Sequence, residues 1–135
     1  MTAPTTSYHL RPRSGWLNDP NSIAHVDGVW HVFFQHNPDA PVHDRIAWGH
    51  ATSRDLAHWE LQPVAFSPSP GAPDAFGCWT GVFVPGHDRP AVVYSGIADD
   101  SRQSTICLRW GSADLRDWGA PIVVGRTPRQ DGIAV

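Results

Sequence analysis

Along this chain apolar and β-branched residues come in short bursts, each closed by Gly, Pro, Asp, Asn or Ser. That rhythm predicts strands. In the first half the candidates are SIAHV (22–26), VWHVFFQ (29–35), IAWGHATS (46–53) and WELQPVAF (59–66). In the second half they are WTGVFVP (79–85), AVVYSGI (91–97), STICLRWGS (104–112) and WGAPIVVG (118–125). Asp27-Gly28, between the first two, is a dipeptide that favours a two-residue hairpin turn. No stretch carries the periodicity of an amphipathic helix. The predicted fold class is all-β.

The two halves repeat each other. Residues 53–59 and 112–118 both fit S-x-D-L-x-x-W, 59 positions apart. VWHVFF (29–34) aligns with RPAVVY (89–94), 60 positions apart. Four antiparallel strands per unit, repeated, predict a β-propeller. Blade 1 is expected at about 16–70, blade 2 at about 76–125 and the start of blade 3 at about 126–135. Propellers close with about four to eight blades, so the chain reads as the incomplete N-terminal part of a longer protein. A self-contained β-sandwich is the alternative, and it leaves the repeat unexplained. The S-x-D-L-x-x-W segments are expected as turns between third and fourth strands, with Asp55 and Asp114 bonding local amides and the Trp packing between sheets.

Composition sharpens this picture in a few places. Seven Trp and thirteen Pro suit a turn-rich β protein or a carbohydrate site. A net charge of −3 without a basic stripe argues against nucleic acid as a partner. Cys78 and Cys107 lie in apolar context and are expected as buried free thiols. The eight His show no H-E-x-x-H and no close pairing with Cys, so a zinc site is not expected. No apolar run is long enough to span a membrane, and MTAPTTSYHLRPRSG lacks the apolar core of a leader. A cytoplasmic location is the expectation; the oligomeric state is left open.

The chemistry concentrates in GWLNDPNSIAHVDGVWHVFFQHNP (15–38), where Asp19 stands among Trp16, Asn18, Asn21, Gln35 and Asn37. Asp19 falls just before the predicted first inner strand, where a propeller blade meets the central channel. Sixty residues on, Trp79 and Thr80 occupy the same place in the second unit. Asp-Pro before a strand is by itself an ordinary turn. Here GWLNDPN resembles the W-[LM]-N-D-P-N-G signature of glycoside hydrolase family 32, the family of invertases, levanases and inulinases. WHVFFQHNP, WGHATSRDLAHWELQP and GCWTGVF continue the resemblance in the family's order, from YHLRP to about residue 125.

The resemblance implies a five-bladed propeller that cleaves terminal β-fructofuranosides with retention, without a metal or cofactor, and a small-molecule sugar as partner. It implies Asp19 as the nucleophile, with Asn18, Gln35, His43, Trp48, Trp79 and Thr80 lining the sugar site. A retaining glycosidase needs a second carboxyl about 5–5.5 Å away as acid/base. The nucleophile must stay ionised, a state that amide donors favour. Two residues depart from the pattern: Ser22 stands where the signature closes on Gly, and His43 where the family often has Trp. The family's Arg-Asp-Pro and Glu-Cys motifs are not found in these 135 residues. Glu60, beside Trp59 in an outer-strand position, is not expected to replace the missing acid. The 135-residue chain alone is therefore expected to be inactive. A fructosyltransferase or related five-bladed glycosidase, and a non-catalytic carbohydrate-binding remnant, remain as alternatives.

Overall fold

A computed structural model describes residues 9–126. Its strands run in chain order: β1 (Trp16–Val26), β2 (Val29–Asn37), β3 (Ala47–Ser53), β4 (Glu60–Leu61), β5 (Gly77–Val84), β6 (Ala91–Ile97), β7 (Ser104–Trp110) and β8 (Ile122–Arg126). They form two four-stranded antiparallel meanders, β1-β2-β3-β4 and β5-β6-β7-β8. β5 is the strand of the second sheet that meets β1, β2 and β3, so the two sheets stack with their inner strands together. This is the arrangement of consecutive propeller blades. Apart from Arg126, the start of a third blade lies outside the described residues.

The local sequence explains the turns. Asp27 and Gly28 have φ of 48° and 76°, the pair of left-handed conformations a type I′ hairpin requires. In each S-x-D-L-x-x-W turn the serine hydroxyl accepts backbone N–H groups: Leu56 N at 2.8 Å on Ser53, and Asp117 N at 2.9 Å on Ser112. Asp55 accepts from His58 N at 2.8 Å and Asp114 from Arg116 N at 3.2 Å. The turn leucines, Leu56 and Leu115, share a left-handed φ near 60°.

Alternation along β2 divides the core. Phe33 faces the second sheet with Trp48, Phe66, Cys78, Val92, Tyr94, Cys107 and Leu115. Val32 and Phe34 face the opposite side, where Leu10, Leu17, Trp59 and Leu61 pack on them. Cys78 and Cys107 are buried and free. Leu115 is fully buried between the sheets while its repeat partner Leu56 is 51% exposed, because only one face of the first sheet has a described sheet against it.

Three strands differ from expectation. β8, expected from Trp118, begins only at Ile122, with Trp118 left as a single bridge to Gly111. The fourth strand of the first unit, expected over 59–66, is only Glu60–Leu61 plus a single bridge from Phe66 to Trp48. Pro63 has no N–H to give, and the ladder skips it: Gln62 N bonds His50 O and Ala65 N bonds Trp48 O. β1 begins six residues earlier than expected, at Trp16, so Asp19 lies inside the strand.

Candidate active site

The β1–β2 ladder loses register between Asn18 and Asn21, and the β5–β6 ladder between Cys78 and Gly81. The bulges sit at equivalent places in the two units. A bulge bends its strand and re-aims the side chains it carries. In the first it turns out Asp19, whose φ of 42° is one that Asp tolerates better than most residues. In the second it turns out Trp79 and Thr80. Gly81 lets the second strand close up again, since a Cβ there would collide with the Val93 carbonyl oxygen.

The two bulges meet. Thr80 Oγ1 donates to Asp19 Oδ2 at 2.9 Å, and Gln35 Nε2 donates to the same oxygen at 3.1 Å. Gln35 Nε2 also donates to Thr80 Oγ1. His43, on the loop between β2 and β3, bonds Gln35 Oε1 through Nε2 at 2.9 Å. Its ring makes edge contacts with Trp79 (centroids 5.5 Å apart) and Trp16 (6.2 Å). Gln35 is buried, whereas Asp19, His43 and Thr80 are exposed. Two donors thus hold Oδ2, while Oδ1 has no hydrogen bond among the described residues. That is the arrangement of a fixed carboxylate with one oxygen open to a ligand.

Asn18 faces Gln35 across the ladder, and its Oδ1 accepts the Trp16 indole N–H at 2.6 Å. Asn21 turns back on the bulge, donating Nδ2 to the Asp19 carbonyl at 2.9 Å. Ser22 takes the left-handed φ of 49° that explains a Gly in the signature. Its buried Oγ, like Asn21 Oδ1, has no hydrogen-bond partner among the described residues.

Trp48 corrects an expectation. It was placed among the sugar-lining residues, but it is fully buried, stacked on Phe66 at 4.9 Å. Its neighbours in β3 are all buried too. It acts on the site from behind, donating Nε1–H to the Trp79 carbonyl at 3.0 Å. Cys78 N bonds Ile46 O at 2.7 Å beside it. These two bonds tie the second bulge to the first sheet.

Sequence reasoning missed a buried polar hub behind Cys78. Asp74 is fully buried and pairs with Arg109 Nη2 at 2.7 Å. Its Oδ2 also accepts from Tyr94 Oη at 2.6 Å and Cys78 Sγ at 3.4 Å, and Oδ1 from Ser69 N at 3.2 Å. Burial, then this bond to Asp74, pushes the Tyr94 hydroxyl up; burial, then the Asp74 charge, pushes the Cys78 thiol up. The available signals were a single acid in the apolar loop GAPDAFG and an arginine inside the apolar run CLRW.

Residues 9–130 match the glycosyl hydrolases family 32 N-terminal domain. An insoluble β-fructofuranosidase isoenzyme of Arabidopsis thaliana is 40% identical over 121 residues, covering 86% of this chain and 20% of its own length. A sucrose-6-phosphate hydrolase of Zymomonas mobilis is 43% identical over 102 residues, 76% of this chain and 20% of its own. A cell wall β-fructofuranosidase isozyme of Pisum sativum is 37% identical over 118 residues, 84% of this chain and 21% of its own. The chain thus spans about a fifth of the length of these relatives. Among solved structures, the sucrose-6-phosphate hydrolase of Lactobacillus gasseri superposes with a TM-score of 0.80 at 28% identity, over 90% of this chain and 25% of that one. A fructan 1-exohydrolase variant of Cichorium intybus in complex with 1-kestose gives 0.73 at 34% identity, over 93% and 23%. The insoluble and cell wall relatives overturn the cytoplasmic location expected from the N-terminus.

Proposed function

Because the chain belongs to glycosyl hydrolase family 32, we propose that it forms the nucleophile-bearing part of an enzyme that hydrolyses terminal β-fructofuranosidic bonds. The observation that carries this reading is the Asp19 carboxylate, with Oδ2 held by Gln35 and Thr80 and Oδ1 unbonded. Oδ1 attacks the anomeric carbon of the fructosyl unit. The bond from that carbon to the leaving oxygen breaks, and the leaving oxygen takes a proton from an acid. Water then adds to the same carbon, gives its proton to the conjugate base, and releases Asp19 as the carboxylate. Trp79 offers an aromatic face for the apolar side of a sugar, and Asn18, Gln35, His43 and Thr80 supply polar groups around it.

The acid/base is not Glu60. That residue lies on β4, three strand spacings from β1, about 14 Å across the sheet, whereas a retaining pair stands about 5–5.5 Å apart. We place the second carboxyl outside the described residues, in line with the Glu-Cys motif that the family resemblance implies. The 135 residues by themselves are accordingly expected not to release fructose from sucrose.

The test is sucrose hydrolysis by the full chain the gene encodes, with and without Asp19→Asn. The substitution keeps the shape and removes the nucleophile, so kcat should fall about a thousandfold or more. Undiminished turnover in Asp19→Asn would remove Asp19 from the chemistry.

A further inference from the structure

We propose that His43 is a positioning residue, whose ring N–H fixes the amide of Gln35 so that the Gln35 nitrogen, not its oxygen, faces Asp19. The inference rests on Asp19 being the nucleophile and adds how its holder is itself held.

The argument is donor and acceptor arithmetic. Asp19 Oδ2 only accepts, so the Gln35 atom 3.1 Å from it must be the amide nitrogen. The Gln35 oxygen then points the other way, to His43 Nε2 at 2.9 Å. An amide oxygen also only accepts, so His43 must carry its proton on Nε2. If the amide rotated by half a turn, its oxygen would face the carboxylate and a donor on Asp19 would be lost. Thr80 cannot enforce the orientation alone, because its hydroxyl both donates and accepts. His43 is the one side chain bonded to the far end of this amide among the described residues.

The ring is well placed for this task. Edge contacts to Trp79 and Trp16 hold it from two sides. It is exposed and sits on the β2–β3 loop, so replacing it removes little core packing. The chain of bonds runs from His43 through Gln35 to Asp19 and Thr80, linking the loop and both bulges.

The test is a set of substitutions in the full chain, assayed on sucrose for kcat and KM. His43→Phe keeps a ring and has no N–H. His43→Trp and His43→Gln each keep a donor, in rings or chains of different size. Loss of the donor should lower kcat/KM about tenfold to a hundredfold, the effect of one hydrogen bond to a charged centre, and mostly through kcat. At least one donor-bearing variant should recover to within about threefold of the wild type. If His43 only fills space, the near-isosteric Phe should retain activity. Activity retained in His43→Phe, or recovered in neither His43→Trp nor His43→Gln, overturns the inference. Asp19→Asn in the same series keeps the two ideas apart. An active Asp19→Asn removes the nucleophile; an inactive one beside an unaffected His43→Phe removes only the positioning role.

Discussion

Replacing Asp74 with Ala should cost more stability than any surface change in this protein. Asp74 is fully buried, and its carboxylate is the shared acceptor for Arg109, Tyr94, Cys78 and the Ser69 amide. Removing one partner of a buried ion pair strands the other charge away from water, at a cost of about 3–5 kcal/mol. Here the stranded guanidinium keeps Tyr94 Oη at 2.8 Å, the Gly119 carbonyl at 2.7 Å and Ser69 Oγ at 3.0 Å. It also keeps the Phe66 ring, 4.7 Å from its central carbon. Those contacts place the expected loss at the lower end, about 3 kcal/mol, against a typical total of about 5–15 kcal/mol. The assay is urea unfolding followed by tryptophan fluorescence, with the midpoint shifted and the slope unchanged. Arg109→Met should cost a similar amount, and the double variant less than the sum of the two, because neither charge is then left alone. A loss below about 1 kcal/mol for Asp74→Ala, or strict additivity in the double variant, would show that the pair is not the hub its geometry describes.

Two further outcomes follow from the same structure. Ser22→Gly should stabilise by about 1 kcal/mol in the same urea assay, since it relieves a left-handed φ and removes a buried hydroxyl that lacks a partner, partly offset by the freer unfolded chain; an unchanged or lower midpoint would refute this. Stability should also fall as pH drops below about 6.5. Burial, then neighbouring His31, pushes His50 down to about 3, and burial, then Arg116, lowers His31, which lies 2.9 Å from His50. Below 6.5 the unfolded chain takes up protons that these folded histidines refuse, so the contribution is present in full above that pH and is lost on acidification. The expected slope from His50 is a little over 1 kcal/mol per pH unit, and His31 adds in the same direction. A flat unfolding midpoint between pH 7 and 5, with carboxylate effects matched in a His31→Gln/His50→Gln control, would contradict it.

Much of this fold was legible in the chain, and what escaped has physical causes. Five of the strands fall within about two residues of expectation because apolar and β-branched runs mark them directly. β1 was cut short at Ser22 because its first six residues, WLNDPN, carry a bulge and site groups instead of an alternating pattern. A strand that turns polar side chains out at a bulge reads as a turn. Trp48 was misplaced because its environment is made by the second sheet, which no local pattern in IAWGHATS announces. The S-x-D-L-x-x-W repeat was read as a turn, and it is one. The repeat could not show that Leu115 seals the contact between the sheets while Leu56 stands in solvent, because identical letters acquire different burial from what is packed on each side.

The repeat also explains why the site needs both units. Each inner strand bends at the same register, so the side chains at the two bulges meet at a common place. The first unit places the carboxylate there and the second places its holder, Thr80, 2.9 Å away. Neither bulge positions the other by itself. The second is pinned to the first sheet by the Cys78–Ile46 backbone bond and by Trp48 on the Trp79 carbonyl. Behind them, the Asp74 hub anchors the loop leading into β5 to Tyr94 of β6 and Arg109 of β7. The residues proposed to face a sugar are few. What fixes their geometry is buried polar chemistry between the two sheets, and substitutions there should be felt at Asp19 without touching it.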